Sequence, residues 1–480
     1  MHEILNQKDV EKPIPELIQG GMGVGVSDWR LARSVAIAGE KFDRPVLGVV
    51  SGTGLPAIMV HRLQEDDQDT IRALNEFDPA TAAEFIKEFP PIHNPEQIFK
   101  LPPKPEVLVT SKNPALEERM KRLAIASAFV EVFLAKEGHS SEIGINILEK
   151  VQLLHLPTLL GAMMAGVDTV LVGAGIPHQI PQVLKNFANN QEASYKLDLM
   201  GTGEKIDLRL DPRKYLSANA RLKEPKFYAI VSHHALAMRL NKTVKVDGFV
   251  VEGPTAGGHN APARGDSVDE RGQPIYGEKD EPDFQKILEL GKPYWLAGSQ
   301  SGKLAQAKES GATGIQVGTV FALSNESGLK NKYKDSLLDE IREGTISIIT
   351  STNASPTGFP FQVVQEEGSL TDKQIYDNRE RVCNLGGLVR FKLENGVPIS
   401  ICPAEPISTY IRKGGDSKDS EGVICLCNGL ASAVGYAQVV EPPIFTLGKD
   451  VETVKHLSTR SSDGTYSAED VVAHEFSIKE

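Results

Sequence analysis

Eight short apolar segments recur along the first two thirds of the chain, and several are followed by stretches with helical periodicity. Their hydrophobicity is continuous rather than alternating, which indicates strands that helices cover on both faces. Strands that alternate with helices favour a parallel sheet, and eight of them predict an α/β fold, a closed TIM (β/α)8 barrel. The predicted strands are Glu16–Gly20, Val46–Ser51, Glu142–Ile147, Asp168–Gly173, Phe227–Ser232, Asp247–Glu252, Pro293–Gly298 and Thr313–Gly318.

The chain is longer than such a barrel requires, since it has 480 residues and a (β/α)8 barrel takes about 250. We assign residues 13–330 to the barrel and residues 331–480 to an α-rich C-terminal extension. The barrel then carries a large insertion after its second strand, residues 52–141, in which Glu106–Thr110 could form a further strand. A polar insert at 260–280 directly follows the sixth strand, on the active-site side of a barrel, and is expected to act as a lid.

The charge balance limits the partners that the chain can have. Its 52 Lys and Arg residues against 64 Asp and Glu residues give a net charge of −12, which argues against nucleic acid and anionic membranes. The most apolar stretch, Gly161–Ile176, contains Asp168 and is shorter than the roughly 20 residues of a membrane span. Residues 1–16 lack the apolar region of a signal peptide. We therefore expect a cytoplasmic protein that acts on a small molecule.

The first predicted strand leads into a glycine cluster that contains Gly21, Met22 and Gly23. Glycines at the end of a strand let backbone N–H groups approach a flat ring or a phosphate closely. No correctly spaced third glycine completes the G-x-G-x-x-G pattern, which argues against a dinucleotide site of the Rossmann type. A tight turn without a ligand is the alternative.

The sixth predicted strand ends at Glu252 and is followed by Gly257, Gly258 and His259. A histidine held on two glycines at the mouth of a barrel can lie above a bound ring and transfer a proton near neutral pH. His259 is therefore the candidate catalytic base, and the alternative is a histidine that is only hydrogen-bonded within a loop. The pair His233–His234 lacks such surroundings and is interpreted as surface or helix-capping residues.

Small and hydroxyl-bearing residues follow the last two predicted strands. They are Gly298 and Ser299 after the seventh strand, and Gln316, Gly318 and Thr319 at the end of the eighth. In (β/α)8 barrels these two loops commonly bind a phosphate group, and neutral backbone donors can do so without a lysine. The sequence therefore predicts a phosphate site between them.

The four cysteines lie within 45 residues of one another, at Cys383, Cys402, Cys425 and Cys427. A C-x-C pair can present two sulfurs to one ion, so a zinc or iron–sulfur site is one interpretation. The absence of a C-x-x-C motif favours the other interpretation, four buried thiols without a metal. The nearby basic loop, residues 412–415, could contact an anionic substrate or simply face solvent.

Four stretches resemble the nitronate monooxygenases, formerly called 2-nitropropane dioxygenases. They are IQGGMGVGVS at 18–27, GIN at 144–146, EGPTAGGHNAP at 252–262 and GATGIQVGTVFA at 311–322. The resemblance covers residues 13–330 and implies an FMN-binding barrel that oxidises alkyl nitronates with O2, with His259 as the base. It also implies cofactor contacts from three parts of the chain. Gly21, Met22 and Gly23 would lie against the flavin ring, Asn146 and Glu252 would hydrogen-bond the flavin or substrate, and Gly298, Gly318 and Thr319 would hold the phosphate.

The same motifs are similar to those of flavin-dependent enoyl-ACP reductases, so they indicate the cofactor better than the substrate. That alternative implies NAD(P)H as a second cofactor and an acyl carrier protein as a partner. A flavin-binding scaffold without turnover is a third possibility, and a homodimer is compatible with all three. One departure from the family pattern is Ser299-Gln300, where Gly-Ile is usual, and it affects a predicted phosphate contact.

Overall fold

Eight parallel strands close into a barrel in the computed structural model of the protein, which describes residues 12–94, 97, 99–217, 220–436 and 441–477. Around the barrel the strands follow the order β1, β10, β9, β8, β7, β4, β3, β2. Each one lies within or next to a segment predicted from the sequence, so the TIM-barrel prediction is confirmed. The barrel strands are β1 (Leu17–Gln19), β2 (Val46–Ser51), β3 (Ile143–Leu148), β4 (Thr169–Gly173), β7 (Lys226–Val231), β8 (Gly248–Glu252), β9 (Tyr294–Ala297) and β10 (Gly314–Val317).

The barrel interior is a closed apolar core rather than a channel. Nine buried residues from the strands pack together inside it, among them Tyr228 and Trp295, whose ring centroids lie 4.5 Å apart. The indole N–H of Trp295 donates a hydrogen bond of 2.7 Å to the carbonyl of Pro15, two residues before β1 begins. This packed core leaves no room for a ligand among these nine side chains.

Helices cover the outside of the barrel, as the continuous hydrophobicity of the strands requires. The first begins at its N-cap residue Asp28, whose carboxylate accepts hydrogen bonds from the backbone N–H groups of Arg30 and Leu31. The covering helices are α1 (Trp29–Lys41), α7 (His155–Met164), α8 (Ile180–Ala188), α9 (His234–Thr243), α10 (Phe284–Leu288), α11 (Leu304–Glu309) and α12 (Thr319–Ala322).

The insertion after β2 is helical throughout its described elements. The possible strand at Glu106–Thr110 was a wrong prediction, because Val107–Thr110 forms one helical turn. Its backbone N–H groups bond to carbonyls three or four residues earlier in the chain, and its half-buried side chains pack against α6. The helices are α2 (Leu55–Gln64), α3 (Gln68–Phe77), α4 (Pro79–Glu88), α5 (Val107–Thr110) and α6 (Pro114–Ala135).

An antiparallel hairpin between β4 and β7 was not predicted. It consists of β5 (Ala193–Asp198) and β6 (Lys205–Leu210) and lies outside the barrel sheet. Ala193, Tyr195 and Leu197 are buried while the residues between them are exposed, which is the alternation expected of a half-buried strand. That period of two was present in the sequence and could have revealed the hairpin.

The C-terminal extension is α-rich, as predicted, but it also contains two hairpins that the sequence analysis did not anticipate. Its helices are α13 (Asn331–Glu343), α14 (Lys373–Asn378), α15 (Ile407–Arg412), α16 (Leu426–Ala433), α17 (Glu452–Arg460) and α18 (Ala468–Ser477). Its hairpins pair β11 (Ile348–Ser351) with β12 (Phe361–Val364), and β13 (Arg390–Glu394) with β14 (Val397–Ile401). The first hairpin makes backbone contact with the loop after β8 and so reaches the mouth of the barrel.

A helix that could cross a bilayer would have to be long and continuously apolar, and the described part of the chain contains none. The expectation that residues 1–16 are not a signal peptide falls largely outside the described residues.

Candidate functional site

All thirteen residues singled out from the sequence as candidate base or cofactor contacts line one cavity at the carboxyl ends of the barrel strands. The cavity has a volume of about 290 Å³. The predicted residues that line it are Gly21, Met22, Gly23, Asn146, Glu252, Gly257, Gly258, His259, Gly298, Ser299, Gln316, Gly318 and Thr319. The structure thus brings together five segments of the chain, made of strand ends and the loops that follow them.

The glycine loop after β1 is held in place by polar side chains from its surroundings. The amide of Asn146 donates a hydrogen bond of 3.0 Å to the carbonyl of Gly21. A Cβ atom at Gly21 would lie 2.3 Å from the Cβ of Asn146, so only glycine permits this approach. The hydroxyl of Ser27 accepts a hydrogen bond from the backbone N–H of Met22 at 2.9 Å. The loop is therefore shaped before any ligand binds.

Two polar side chains present unused hydrogen-bonding capacity to this cavity. The side-chain carbonyl oxygen of Gln316 is buried and has no partner among the described residues. Burial alone raises the pKa of Glu252 to about 8, so this carboxyl group is largely protonated at neutral pH. A buried polar atom without a partner is costly, which indicates that a ligand donor meets Gln316 when the site is filled.

His259 lies in the loop after β8 with one ring nitrogen already engaged. Its Nε2 is 2.7 Å from the hydroxyl of Ser355, and its ring meets the edge of Phe361 at a centroid distance of 4.9 Å and an angle of 75°. Burial, and after it the positive charge of Lys150, lowers the pKa of His259 to about 4. The imidazole is therefore neutral at pH 7.

The extension fixes the backbone on both sides of His259. The N–H of Gln362 donates a hydrogen bond to the carbonyl of Gly258, and the N–H of Asn260 donates one to the carbonyl of Pro360, both at 2.9 Å. The hydroxyl of Thr446 accepts a third hydrogen bond, from the N–H of Gly258, at 2.7 Å. The position of the candidate base thus depends on residues about 100 to 190 positions further along the chain.

The loops after β9 and β10 form the opposite end of the cavity. Gly298 and Ser299 both have positive φ angles, 86° and 54°, and a hydroxyl-bearing residue tolerates this conformation less well than the usual glycine. The hydroxyl of Ser299 donates a hydrogen bond of 2.8 Å to that of Thr255. A Cβ atom at Gly318 would meet only the side chain of Met22, at 3.5 Å, so space opens in front of this glycine.

A further part of the cavity wall is apolar, and the sequence analysis did not predict it. We call this wall the apolar lobe. Its residues come from the insertion, from the segment after β3 and from the extension. They are Pro102, Pro103, Pro105, Met120, Leu148, Val151, Leu154, Leu385, Leu388, Leu426 and Leu430. The Pro-rich stretch in the insertion was the only sequence signal for it, and proline does not reveal which surface it faces.

The four cysteines lie close together in the C-terminal extension. Within the described residues, no group of three or more His, Cys, Asp or Glu side chains is arranged to hold a metal ion. All four are free thiols that lie around a small second cavity. Burial raises the pKa of each, to about 11 for Cys383, so the four thiols are protonated at neutral pH.

Three other predicted features lie away from the cavity. His233 is the N-cap of α9, where its ring accepts a hydrogen bond from the N–H of Ala235, as the capping interpretation expected. In the basic loop, Lys413 pairs with Glu405 at 2.7 Å. The insert at 260–280 contributes no residue to the cavity wall, and its role as a lid stays a prediction.

No known protein family and no curated protein matches the chain. Three solved structures are similar to it: a mutant of FabK from Thermotoga maritima, a nitroalkane oxidase from Streptomyces ansochromogenes, and the enoyl reductase domain of MlnA from the macrolactin biosynthesis cluster of Bacillus amyloliquefaciens. Their identities are 15%, 13% and 12%, and their TM-scores are 0.46, 0.45 and 0.42. Each alignment covers 96% of this chain and, in the same order, 91%, 95% and 94% of the other. At such low similarity these neighbours do not establish an activity.

Proposed function

We propose that the protein is an FMN-dependent oxidoreductase. The observation that supports this most directly is the composition of the cavity wall. The glycine loop after β1, the unpartnered side-chain oxygen of Gln316 and the open space in front of Gly318 all face the same cavity. Gly21, Met22 and Gly23 would lie against the flavin ring, and the Gln316 oxygen would accept a hydrogen bond from it. Gly298 and Gly318 leave the room that a phosphate needs. Bound FMN would supply two-electron redox chemistry.

Among the reactions that such a cofactor supports, the apolar lobe favours the reduction of an enoyl thioester. Each CH2 group buried on an apolar wall contributes about 0.8 kcal/mol to binding, so a wall of this kind rewards a substrate with a long alkyl chain. A small nitronate would leave most of it unused. NAD(P)H would supply the two electrons and, with a proton from solvent, balance the conversion of the double bond to a single bond.

The chain's own residues suit this reaction. Glu252 is a neutral carboxylic acid at pH 7 and can donate a proton or a hydrogen bond within the cavity. His259 is neutral under the same conditions and is held by the extension at the edge of the cavity. The apolar lobe would orient the chain and exclude water from the reacting carbons.

The second candidate is the oxidation of alkyl nitronates with O2, the activity that the sequence resemblance implies first. The neutral imidazole of His259 is the observation that favours it, since a neutral ring can accept a proton from a nitroalkane. A pKa of about 4 makes this ring a weak base, however, which disfavours the abstraction of a proton from carbon.

Two assays on the FMN-loaded protein distinguish these activities. In the first, the protein is mixed anaerobically with NADPH and then with a long-chain trans-2-enoyl coenzyme A. Rapid loss of flavin absorbance that the thioester restores supports the reductase. In the second, propionate 3-nitronate is added in air and oxygen uptake is recorded. Oxygen uptake without any reaction with NADPH would contradict the reductase. The third possibility, a binding scaffold without turnover, predicts that both assays are negative for the natural protein and for His259→Ala.

A further inference from the structure

The apolar lobe adjoins the second, smaller cavity that the four cysteines surround. Five residues line both spaces, and we call them the partition. They are Leu385, Gly387, Leu388, Leu426 and Cys427. Because the same residues face both cavities, the partition is a single layer of the structure. None of the five is charged, so the layer presents no electrostatic barrier to a hydrocarbon on either side.

Cys427 holds the partition together. Its sulfur accepts hydrogen bonds from the backbone N–H groups of Gly387 and Leu388. A Cβ atom at Gly387 would lie 3.2 Å from the same sulfur, so this stretch of backbone lies directly against the thiol. Cys427 also packs against both apolar clusters that meet here, one containing Leu388 and Leu426 and the other containing Cys402. The wall between the two cavities therefore depends on a few named contacts.

The second cavity suits a hydrocarbon better than a polar group. Its volume is about 10 Å³, close to the space that one water molecule needs. The cysteines around it are protonated, and a neutral thiol behaves as a small apolar group. Glu405 is the one charged residue on its described lining, and this carboxylate pairs with Lys413 at 2.7 Å and accepts a hydrogen bond from the N–H of Cys402 at 3.3 Å. The charge is thus already compensated.

We propose that Leu388, supported by Cys427, sets the longest acyl chain that the apolar lobe takes, and that the cysteine-lined cavity is a continuation of the lobe that the partition closes. Leu388 is only 7% exposed, and Leu148 and Val151 of the lobe pack against the same cluster. A smaller side chain at this position would join the two spaces. The inference rests on the proposed function, because it takes the occupant of the lobe to be the alkyl chain of an enoyl thioester.

Binding of saturated acyl coenzyme A thioesters measures this limit without turnover, because a saturated chain has no double bond to reduce. Thioesters of about 6 to 18 carbons are titrated into the FMN-loaded protein by isothermal titration calorimetry, below their micelle concentrations. While the lobe fills, the affinity should rise about fourfold for each added CH2 group. It should stop rising at a definite chain length, which is the limit that the proposal assigns to Leu388.

Two variants of Leu388 should move this limit. Leu388→Ala removes three carbon atoms from the partition and should extend the limit by about two carbons. Leu388→Val is a smaller change that disturbs the core less, and it should extend the limit by about one carbon. The valine variant carries the test by itself if the alanine variant does not fold.

Three further variants serve as controls. Cys402→Met fills the cavity behind the partition with a flexible apolar side chain. Alone it should leave the limit unchanged, because Leu388 still closes the lobe, and combined with Leu388→Ala it should restore the natural limit. Leu430→Ala shortens a leucine of the lobe that does not line the second cavity, and it should leave the limit in place.

The outcomes separate this inference from the proposed function. A limit that stays at one chain length in both Leu388 variants would overturn the inference and leave the proposed function standing. So would an equal extension in Leu430→Ala, or an extension in Leu388→Ala that Cys402→Met does not reverse. An affinity that is the same for every chain length would contradict the proposed thioester substrate itself, together with the inference that rests on it.

Discussion

The backbone N–H of Gly448 donates a hydrogen bond of 2.8 Å to the hydroxyl of Thr319. Thr319 begins α12 directly after the last barrel strand, whereas Gly448 belongs to the C-terminal extension. A Cβ atom at Gly448 would lie 3.0 Å from the carbonyl of Thr255, so the two segments are in close contact. The extension thus builds part of the loop cluster at which we place the FMN phosphate.

Loss of this hydrogen bond should weaken cofactor binding. Thr319→Val keeps the size of the side chain but leaves the N–H of Gly448 without its acceptor, at a cost of about 1–3 kcal/mol. We expect the dissociation constant for FMN to rise about tenfold, measured by the quenching of flavin fluorescence on titration with apoprotein. Thr319→Ser keeps the hydroxyl and serves as the control. If the valine variant binds FMN as tightly as the natural protein, this contact with the extension does not contribute to cofactor binding.

A bulky side chain at Gly318 should release the cofactor without unfolding the protein. Gly318 has no positive φ and its missing Cβ faces open space, so the backbone tolerates a larger residue. Gly318→Leu would fill that space and lower the affinity for FMN more than a hundredfold, while its thermal unfolding midpoint without FMN stays within a few degrees. Gly318→Ala, whose Cβ would be in ordinary contact with Met22, should retain the cofactor. If the leucine variant keeps its full flavin content, the phosphate does not bind in front of Gly318.

Glu252 should make the apoprotein less stable as the pH rises. Its pKa is about 8 when folded and 4.5 in the unfolded reference, so between these values the folded state binds more protons than the unfolded state. The free energy of unfolding therefore contains a contribution that falls from pH 4.5 to pH 8. Glu252→Gln should remove this contribution and become more stable than the natural apoprotein toward pH 8, as measured by urea denaturation. The exposed Glu270→Gln provides the control. An identical pH dependence in both variants would show that Glu252 is already ionised.

Arg62 should be essential for stability. It is 2% exposed and forms ion pairs with Asp28 at 2.9 Å and Glu131 at 2.7 Å, which connect α1, α2 and α6. Arg62→Met leaves the buried Glu131 without a counter-charge and Asp28 with only the exposed Arg30, and should reduce the free energy of unfolding by about 3–5 kcal/mol. By contrast, Lys41→Ala breaks an exposed pair with Glu469 and should cost about 0–1 kcal/mol. Similar losses for the two variants, from denaturant titration, would contradict this difference.

The barrel and the residues at its mouth could be predicted because both depend on local sequence. Strands buried on two faces are continuously apolar, and Gly258 and His259 directly follow such a strand. Ser355 and Gly448 could not be predicted, because their contacts with His259 and Thr319 depend on how a separate segment folds back over the barrel. The short run at 107–110 was misjudged because four apolar residues are too few to show a helical or a strand period.

The visible absorption spectrum of the purified protein after incubation with FMN and gel filtration tests the central claim most directly. The proposed function predicts a yellow protein that retains about one FMN per chain, with flavin bands shifted and fluorescence quenched relative to free FMN. A colourless protein, in which all the flavin elutes separately, would contradict the assignment of the cavity to FMN and with it the proposed oxidoreductase activity.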